Sequence, residues 1–253
     1  MATDRLAAAV DALAPPWEGH YYAALESTQD EARAAARLGA PDRSIYVSDY
    51  QRSGRGRQGR TWLAAPGTAL LLSILFRDTD VAPRPWRWTS LASVALVEAT
   101  DELLVTKKAV IKWPNDVMLD DRKVAGILAE NTWDGRQLLA IVGVGVNTNT
   151  PPADLAALPS PATSLAIACG QDVDRGELLK ALIRRMNHWL EQPVPELFKS
   201  WQSRLWGRGQ RLRLLDLGEE HEVIVLGAAP DGSLRIRLPD GAERTTTTGE
   251  LIL

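Results

Sequence analysis

Four arginines, Arg52, Arg55, Arg57 and Arg60, fall within nine positions and are interleaved with Gly54, Gly56 and Gly59. Guanidinium groups grip phosphate and carboxylate through two parallel hydrogen bonds, and glycine lets backbone N–H groups face the same anion. The spacing is not Gly-x-x-x-x-Gly-Lys-Ser/Thr, and the stretch does not open a helix, so both common nucleotide motifs are excluded. Alone it reads as an anion-binding loop, a solvated loop or an RNA-backbone contact. A second group is Lys112-Trp113-Pro114-Asn115-Asp116. Pro114 cannot donate to a sheet, so it ends a strand and gathers a lysine, an amide and a carboxylate. That set suits a magnesium nucleotide, the carboxylate for Mg²⁺ and the lysine for phosphate oxygens; an isolated instance is equally a polar turn. Lys123 stands between an acidic turn and the apolar run Val124–Leu128. A lysine whose stem enters such a strand calls for an anion, although a snorkelling surface lysine has the same local signature.

The balance of the whole chain limits what these groups serve. With 253 residues and a net charge of −3, the protein lacks the broad basic excess of one that coats nucleic acid or an anionic membrane. Its basic cluster is local. At 45% hydrophobic the chain closes one sizeable core and carries a small second domain. Cys169 is the single cysteine, which excludes intramolecular disulfides and thiolate metal cages, favours a reducing compartment, and reads as a small core residue. Asp4 and Asp11 interrupt the N-terminal alanines, and no apolar run reaches the roughly 20 residues of a membrane helix, so the expected location is the cytoplasm, with no membrane partner.

The elements that must hold the reactive groups follow from periodicity. A short helix ends at Pro15-Pro16. Thr28 and Glu31 form a capping box ahead of a helix through Leu38, stopped by Gly39-Ala40-Pro41. Ser44–Ser48 and the continuous apolar run Ala69–Leu75 are strands, with residues 51–62 an irregular loop between them. Thr89–Leu104 has helical spacing, Val110-Ile111 starts a strand, and Asp120-Asp121-Arg122 is a hairpin turn. Val124–Leu128 and Leu138–Val146 are strands, the second ending in Gly-Val-Gly-Val-Asn147, where glycines permit close approach and mark a site edge. Residues 151–161 read as a proline-rich excursion, and Asp174 with Glu177 caps a helix through Leu190. From Gly207 onward, short alternating strands broken at Gly218, Pro230-Asp231-Gly232 and Pro239-Asp240-Gly241 predict a small barrel.

In chain order, Ser27-Thr28-Gln29, the run from Gln51 to Trp62, Lys112–Asp116 with Lys123–Glu130, and Gly143–Asn149 together resemble the biotin protein ligases, densely over about residues 25 to 150. The resemblance implies an α+β fold: a mixed β-sheet packed on helices, related to class II aminoacyl-tRNA synthetases, in residues 1–206, then a small C-terminal SH3-like β-barrel in 207–253. It implies ATP-dependent activation of biotin to biotinyl-5'-AMP and transfer to a lysine of a biotin carboxyl carrier protein or carboxylase carrier domain, with ATP and Mg²⁺ as cofactors and biotin as substrate. By motif position, Ser27, Thr28, Gln29, Gln51, Gly54, Arg55, Gly56, Arg57 and Lys123 would surround biotin. Arg57, Arg60, Trp62, Lys112, Asn115 and Asn147 would surround ATP or the adenylate, Asp116 would hold the metal, and Lys123 and Arg57 would be catalytic. Hydroxyl and amide side chains suit a ureido ring, whose two N–H donors and one C=O acceptor cost about 1–3 kcal/mol each if buried unpaired.

About 26 residues precede Ser27, too few for the winged helix that some members carry, so a short form without DNA binding is expected. No general base for the transfer step is visible, no C-terminal residue is carried over as a ligand contact, and pairing into a homodimer is left open. Two other readings compete. A lipoate ligase on the same fold also adenylates a pentanoyl acid, but a dithiolane needs no ureido partners. A non-catalytic RNA- or protein-binding module would use the arginine loop, against the acidic balance of the chain.

Overall fold

A strand buried at successive positions must be covered on both faces, and the protein builds its main sheet around one, with residues 69–76 all buried. The computed structural model describes residues 5–78, 84, 86–104, 107–135 and 137–252; Asp4 lies outside them. In chain order the elements are α1 (Leu6–Asp11), β1 (Glu18–Tyr22), α2 (Thr28–Arg37), β2 (Ser44–Ser48), β3 (Ala69–Asp78), α3 (Trp86–Leu103), β4 (Val110–Lys112), β5 (Asp116–Leu119), β6 (Arg122–Trp133), β7 (Leu138–Asn147), α4 (Pro152–Ala156), α5 (Leu165–Cys169), α6 (Arg175–Glu191), α7 (Val194–Ser203), β8 (Arg211–Asp216), β9 (Glu219–Ala228), β10 (Leu234–Arg237), β11 (Glu243–Thr246) and β12 (Glu250–Ile252).

The first seven strands form one mixed sheet in the order β1-β2-β3-β7-β6-β5-β4, parallel between β1 and β2 and antiparallel elsewhere. Alternate β3 residues, Leu70, Leu72, Ile74 and Phe76, join the main core with Leu91 and Val94 of α3 and Leu178 and Leu182 of α6. Leu75, on the other face, packs with Ala32 and Ala36 of α2. The large helices therefore load one face, and α2 covers only part of the other. That uneven cover leaves room for a site on the α2 face.

The structure departs from the sequence reading where partners are distant in sequence. The capping box does not form: α2 begins at Thr28, Ser27 is its N-cap without a side-chain bond, and Glu31 instead accepts from Tyr22 OH at 3.1 Å. Thr28 is drawn away by Gln51 and Ser73. The cap on α6 does form, Asp174 Oδ1 accepting from the N–H groups of Gly176 and Glu177 at 2.8 and 3.2 Å. Strand β1, Glu-Gly-His-Tyr-Tyr, has no apolar alternation and owes its existence to parallel pairing with β2. Residues 194–203 form α7, with Pro193 at its N-cap and Pro195 in the first turn, where a missing N–H is harmless. The proline-rich excursion contains α4 and returns to the sheet, Lys123 N–H donating to Pro161 O and Thr163 N–H to Lys123 O, each at 2.9 Å.

Beyond Trp206 a second sheet has the order β11-β10-β9-β8-β12. It is antiparallel throughout and, among the described residues, does not close into a barrel. It docks on the first lobe through Trp113 Nε1, which donates to Gly232 O at 3.1 Å in the β9–β10 turn.

Candidate active site

Three glycines clear the floor of the site. Gly126 of β6 faces Gly145 of β7, and Gly143 faces Ser73 of β3. Directly paired residues share a sheet face, and so do residues two apart on one strand, so all four open on the α2 side. A Cβ at Gly143 would stand 2.7 Å from Gln29 Oε1, one at Gly145 2.7 Å from the Trp62 indole, and one at Gly126 3.0 Å from the same ring. The carboxamide and the indole thus lie directly on the sheet backbone. Over this floor is a cavity of about 430 Å³, within the roughly 300–1,000 Å³ of small-molecule sites.

One end of the cavity is neutral and hydrogen-bonding. Gln51 Oε1 accepts from the Thr28 N–H at 2.7 Å and lies 3.1 Å from Thr28 Oγ1, which in turn meets Ser73 Oγ at 2.9 Å. Ser73 Oγ donates to Gln29 Oε1 at 3.0 Å, while Gln29 Nε2 donates to Glu130 Oε2 at 2.9 Å and Ile141 O at 3.0 Å. Ser27 Oγ is buried and has no hydrogen-bond partner among the described residues. Buried polar groups are normally paired, so a polar ligand suits this end.

The other end is charged. Lys123 Nζ pairs with Asp116 Oδ1 at 2.7 Å and lies 5.8 Å from the centre of the Trp62 ring. Arg57 donates to Asn115 Oδ1 at 3.2 Å, and Asn115 is fixed by its own bond to Ile127 O at 2.7 Å. Arg60 and Lys112 share Glu250 of β12, at 2.8 and 3.3 Å. Burial depresses the Arg57 guanidinium below the ordinary arginine value, against the pull of Asp116 and Glu250. Burial raises Glu250, but the bond from Arg60 and the charge of Lys112 outweigh it and hold the carboxyl below its usual range. These four cations face two carboxylates, so this end keeps positive charge for an anion.

The stretch read as an irregular loop is a narrow hairpin: Arg55 bridges Thr61, Gly56 N–H donates to Arg60 O at 2.8 Å, and Trp62 N–H to Gly54 O at 2.9 Å. It roofs the cavity. Its arginines do not converge: Arg52 turns to Glu26 at 3.5 Å and Arg55 to Asp30 at 2.8 Å, leaving Arg57 and Arg60 for the charged end. Ser27, Thr28, Gln29, Gln51, Arg55, Gly56, Arg57, Arg60, Trp62, Asn115, Asp116, Lys123 and Asn147 all line the cavity. Asn147 does so while donating to Thr163 O at 3.2 Å, which ties down the segment after α4. Gly54 and Lys112 stand behind the lining: a Cβ on Gly54 would come 2.5 Å from Trp62 O, and Lys112 reaches the site through Glu250.

Two residues of the site escaped the sequence reading. Ser73 is the one polar side chain within the apolar run Ala69–Leu75, a signal that was available. Glu250 has no local signal, because only the docking of the second sheet brings it to Arg60.

Comparison with known proteins agrees with this geometry. Residues 23–147 match the model of the Biotin/lipoate A/B protein ligase family. The chain is 30% identical to the bifunctional ligase/repressor BirA of Bacillus subtilis, over 88% of this chain and 70% of the relative. It is 31% identical to the biotin--[acetyl-CoA-carboxylase] ligase of Mycobacterium tuberculosis, over 85% of this chain and 80% of the relative. The biotin protein ligase of Aquifex aeolicus, solved with biotin and ATP, superposes with a TM-score of 0.76 at 26% identity, covering 92% of this chain and 97% of that one. The mixed sheet with helices is thus the biotin protein ligase fold, and the chain belongs to the biotin protein ligases.

Proposed function

We propose that the protein joins biotin to AMP at the expense of ATP, giving biotinyl-5'-AMP, and then transfers the biotinyl group to a lysine of a biotin carboxyl carrier protein or carboxylase carrier domain. One observation carries this reading: a single cavity has a neutral hydrogen-bonding end and a cationic end, joined by an apolar floor under Trp62. Biotin has that polarity, a ureido ring at one end and a carboxylate on a hydrocarbon arm at the other. Ser27, Thr28, Gln29 and Gln51 would meet the ring, with Ser73 orienting them. A dithiolane would leave this polar end unanswered, which disfavours lipoate. The internal pairing of Arg52 and Arg55 disfavours an RNA-binding strip.

In the first step a carboxylate oxygen of biotin attacks the α-phosphorus of ATP, and pyrophosphate leaves with the electron pair of the broken bond. Three anionic groups crowd together there, and preorganised cations are the effective remedy. Lys123 would face the carboxylate, with Arg57 and Arg60 beside the phosphates. In the second step the neutral acceptor amine attacks the acyl carbon, AMP departs, and the nitrogen loses a proton. Holding the two reactants together supplies much of the acceleration, and the hairpin roof would keep water from the mixed anhydride. Among the described residues no three His, Cys, Asp or Glu side chains gather as a metal cage. Of the two carboxylates at the charged end, Glu250 is shared by Arg60 and Lys112 whereas Asp116, among the described residues, meets Lys123 alone, so Asp116 is the one that would hold Mg²⁺ with the nucleotide, where the ion would supply charge neutralisation at the phosphates.

We also place a division after Trp206, where the chain leaves the edge of the large sheet: Trp206 N–H donates to Ile111 O at 2.8 Å, and β8 begins at Arg211. Among the described residues no helix is long and apolar enough to cross a membrane, and with its lone Cys169 the protein suits the cytoplasm. The test is ATP–pyrophosphate exchange with biotin, lipoate or no acid, followed by mass analysis of a carrier domain. Exchange with biotin alone and a carrier heavier by one biotinyl group are expected; exchange with lipoate alone would overturn the assignment.

A further inference from the structure

A path of polar contacts leaves the neutral end of the cavity and returns to the hairpin. Gln29 Nε2 donates to Glu130 Oε2 at 2.9 Å. The same oxygen pairs with Arg33 Nη2, and Arg33 Nη1 pairs with Asp30 Oδ1. Asp30 Oδ1 also accepts from Arg55 Nη1 at 2.8 Å. Asp30 and Arg33 are three residues apart on α2, the spacing that puts side chains on one helix face. Arg55 sits at the neck of the hairpin, bridged to Thr61 and one residue before the Gly56–Arg60 contact. Carboxylate and guanidinium alternate along the path, and each interior member is held from two sides. Neither Asp30 nor Arg33 lines the cavity.

We infer that Asp30 and Arg33 are positioning residues, a latch on α2 that fixes the neck of the hairpin to the carboxamide of Gln29 and so governs how long the roof stays over a bound acid. Burial works against the charge of Arg33, but its bond to Asp30 and the charges of Glu130 and Asp30 hold the guanidinium above the ordinary arginine value. The side chains of Arg55 and Asp30 are about half exposed, 46% and 47%, so the latch is weak and screened by salt. It is a device for adjusting retention.

The latch rests on the biotin reading above, and the experiment separates the two. Labelled biotin is bound to the full chain and chased with unlabelled biotin, for wild type, Asp30→Asn, Arg55→Met and the double variant, at low salt and at 1 M NaCl. Each single variant is expected to release biotin roughly two- to fivefold faster at low salt, the range that a half-exposed ion pair supports. The double variant should be no faster than the singles, and in 1 M salt wild type should approach them. The KM for ATP of Asp30→Asn should match wild type, which general destabilisation would not spare. Additive effects, or release at the wild-type rate in the variants, overturn the latch alone. Wild type that binds no biotin overturns the functional reading and the latch with it.

Discussion

Replacing Ser73 by alanine tests the neutral end of the site with the least disturbance of its shape. The change removes one oxygen, opens no sizeable space and leaves the strand pairing of β3 intact. Ser73 is fully buried, and its hydroxyl stands between Thr28 Oγ1 at 2.9 Å and Gln29 Oε1 at 3.0 Å. Thr28 keeps Gln51 as a partner, so the group left stranded is the oxygen of Gln29. A buried acceptor without a donor costs about 1–3 kcal/mol. For a chain of this length each kcal/mol lowers Tm by roughly 2–4 °C, so a fall of roughly 2–12 °C is expected. The larger consequence concerns the ligand, because Ser73 is the bridge between the Thr28 hydroxyl and the Gln29 carboxamide oxygen. Loss of about 1.4 kcal/mol of ring binding is a tenfold rise in the KM for biotin. The assay is biotin-dependent ATP–pyrophosphate exchange, with biotin and ATP varied separately, beside a thermal melt. A higher KM for biotin with an unchanged KM for ATP is expected. If Tm falls and neither KM moves, the Ser73 chain only supports the fold, and the assignment of the ring to this end is wrong.

Three further perturbations address the rest of the cavity. Lys123→Ala should lower exchange at least about 100-fold, as loss of a charge aimed at the reacting group does, while circular dichroism shows a folded protein; near-normal exchange would remove Lys123 from the chemistry. Its stranded partner Asp116 should lower stability by roughly 3 kcal/mol or less, since the pair is not fully enclosed. Gly145→Ala puts a Cβ 2.7 Å from the Trp62 ring, roughly 1 Å short of comfortable contact. Displacing the indole should therefore impair exchange much more than it lowers Tm, and a normal rate would show that the ring is no part of the working site. Glu250 has a folded pKa held below its ordinary value of 4.5 by Arg60 and Lys112 against burial. Its pairing therefore contributes stability that is present above about pH 4.5 and lost as pH falls through the depressed value. Urea unfolding should find Glu250→Gln less stable than wild type at pH 7, with the gap narrowing under more acid conditions; a gap that persists at low pH would mean the carboxylate's charge is irrelevant.

What could be read from the sequence and what could not divide along a physical line. Ser44–Ser48, the core of β3, the helix after Asp174 and the glycines of β7 declare themselves locally, through burial pattern, a cap or the absence of a side chain. The cations of the site are legible for the same reason, since arginines repeated among glycines, and a lysine at the head of an apolar strand, are costly patterns without an anion nearby. Two of the carboxylates that answer these arginines, Asp30 and Glu250, are not. Asp30 lies 25 residues from Arg55, and Glu250 lies 190 residues from Arg60. Only the placement of α2 and the docking of β12 bring these pairs together, and neither carboxylate has any feature that sets it apart from the protein's other acids.

This has a chemical consequence. A sequence presents charges, while the fold decides which are already neutralised, so four arginines within nine positions overstate what the site offers a substrate. Two of them, Arg52 and Arg55, are taken by Glu26 and Asp30 and hold the hairpin in place. The other two face the charged end, and one of those shares Glu250 with Lys112. An incoming phosphate must therefore compete with Glu250 for Arg60, whereas Arg57, bonded only to the neutral Asn115 among the described residues and depressed by burial, gains an anionic partner outright. Under the proposed function, Arg57 would accordingly be the arginine whose charge the adenylate satisfies most fully, while Arg60 would have to give up part of its pairing with Glu250.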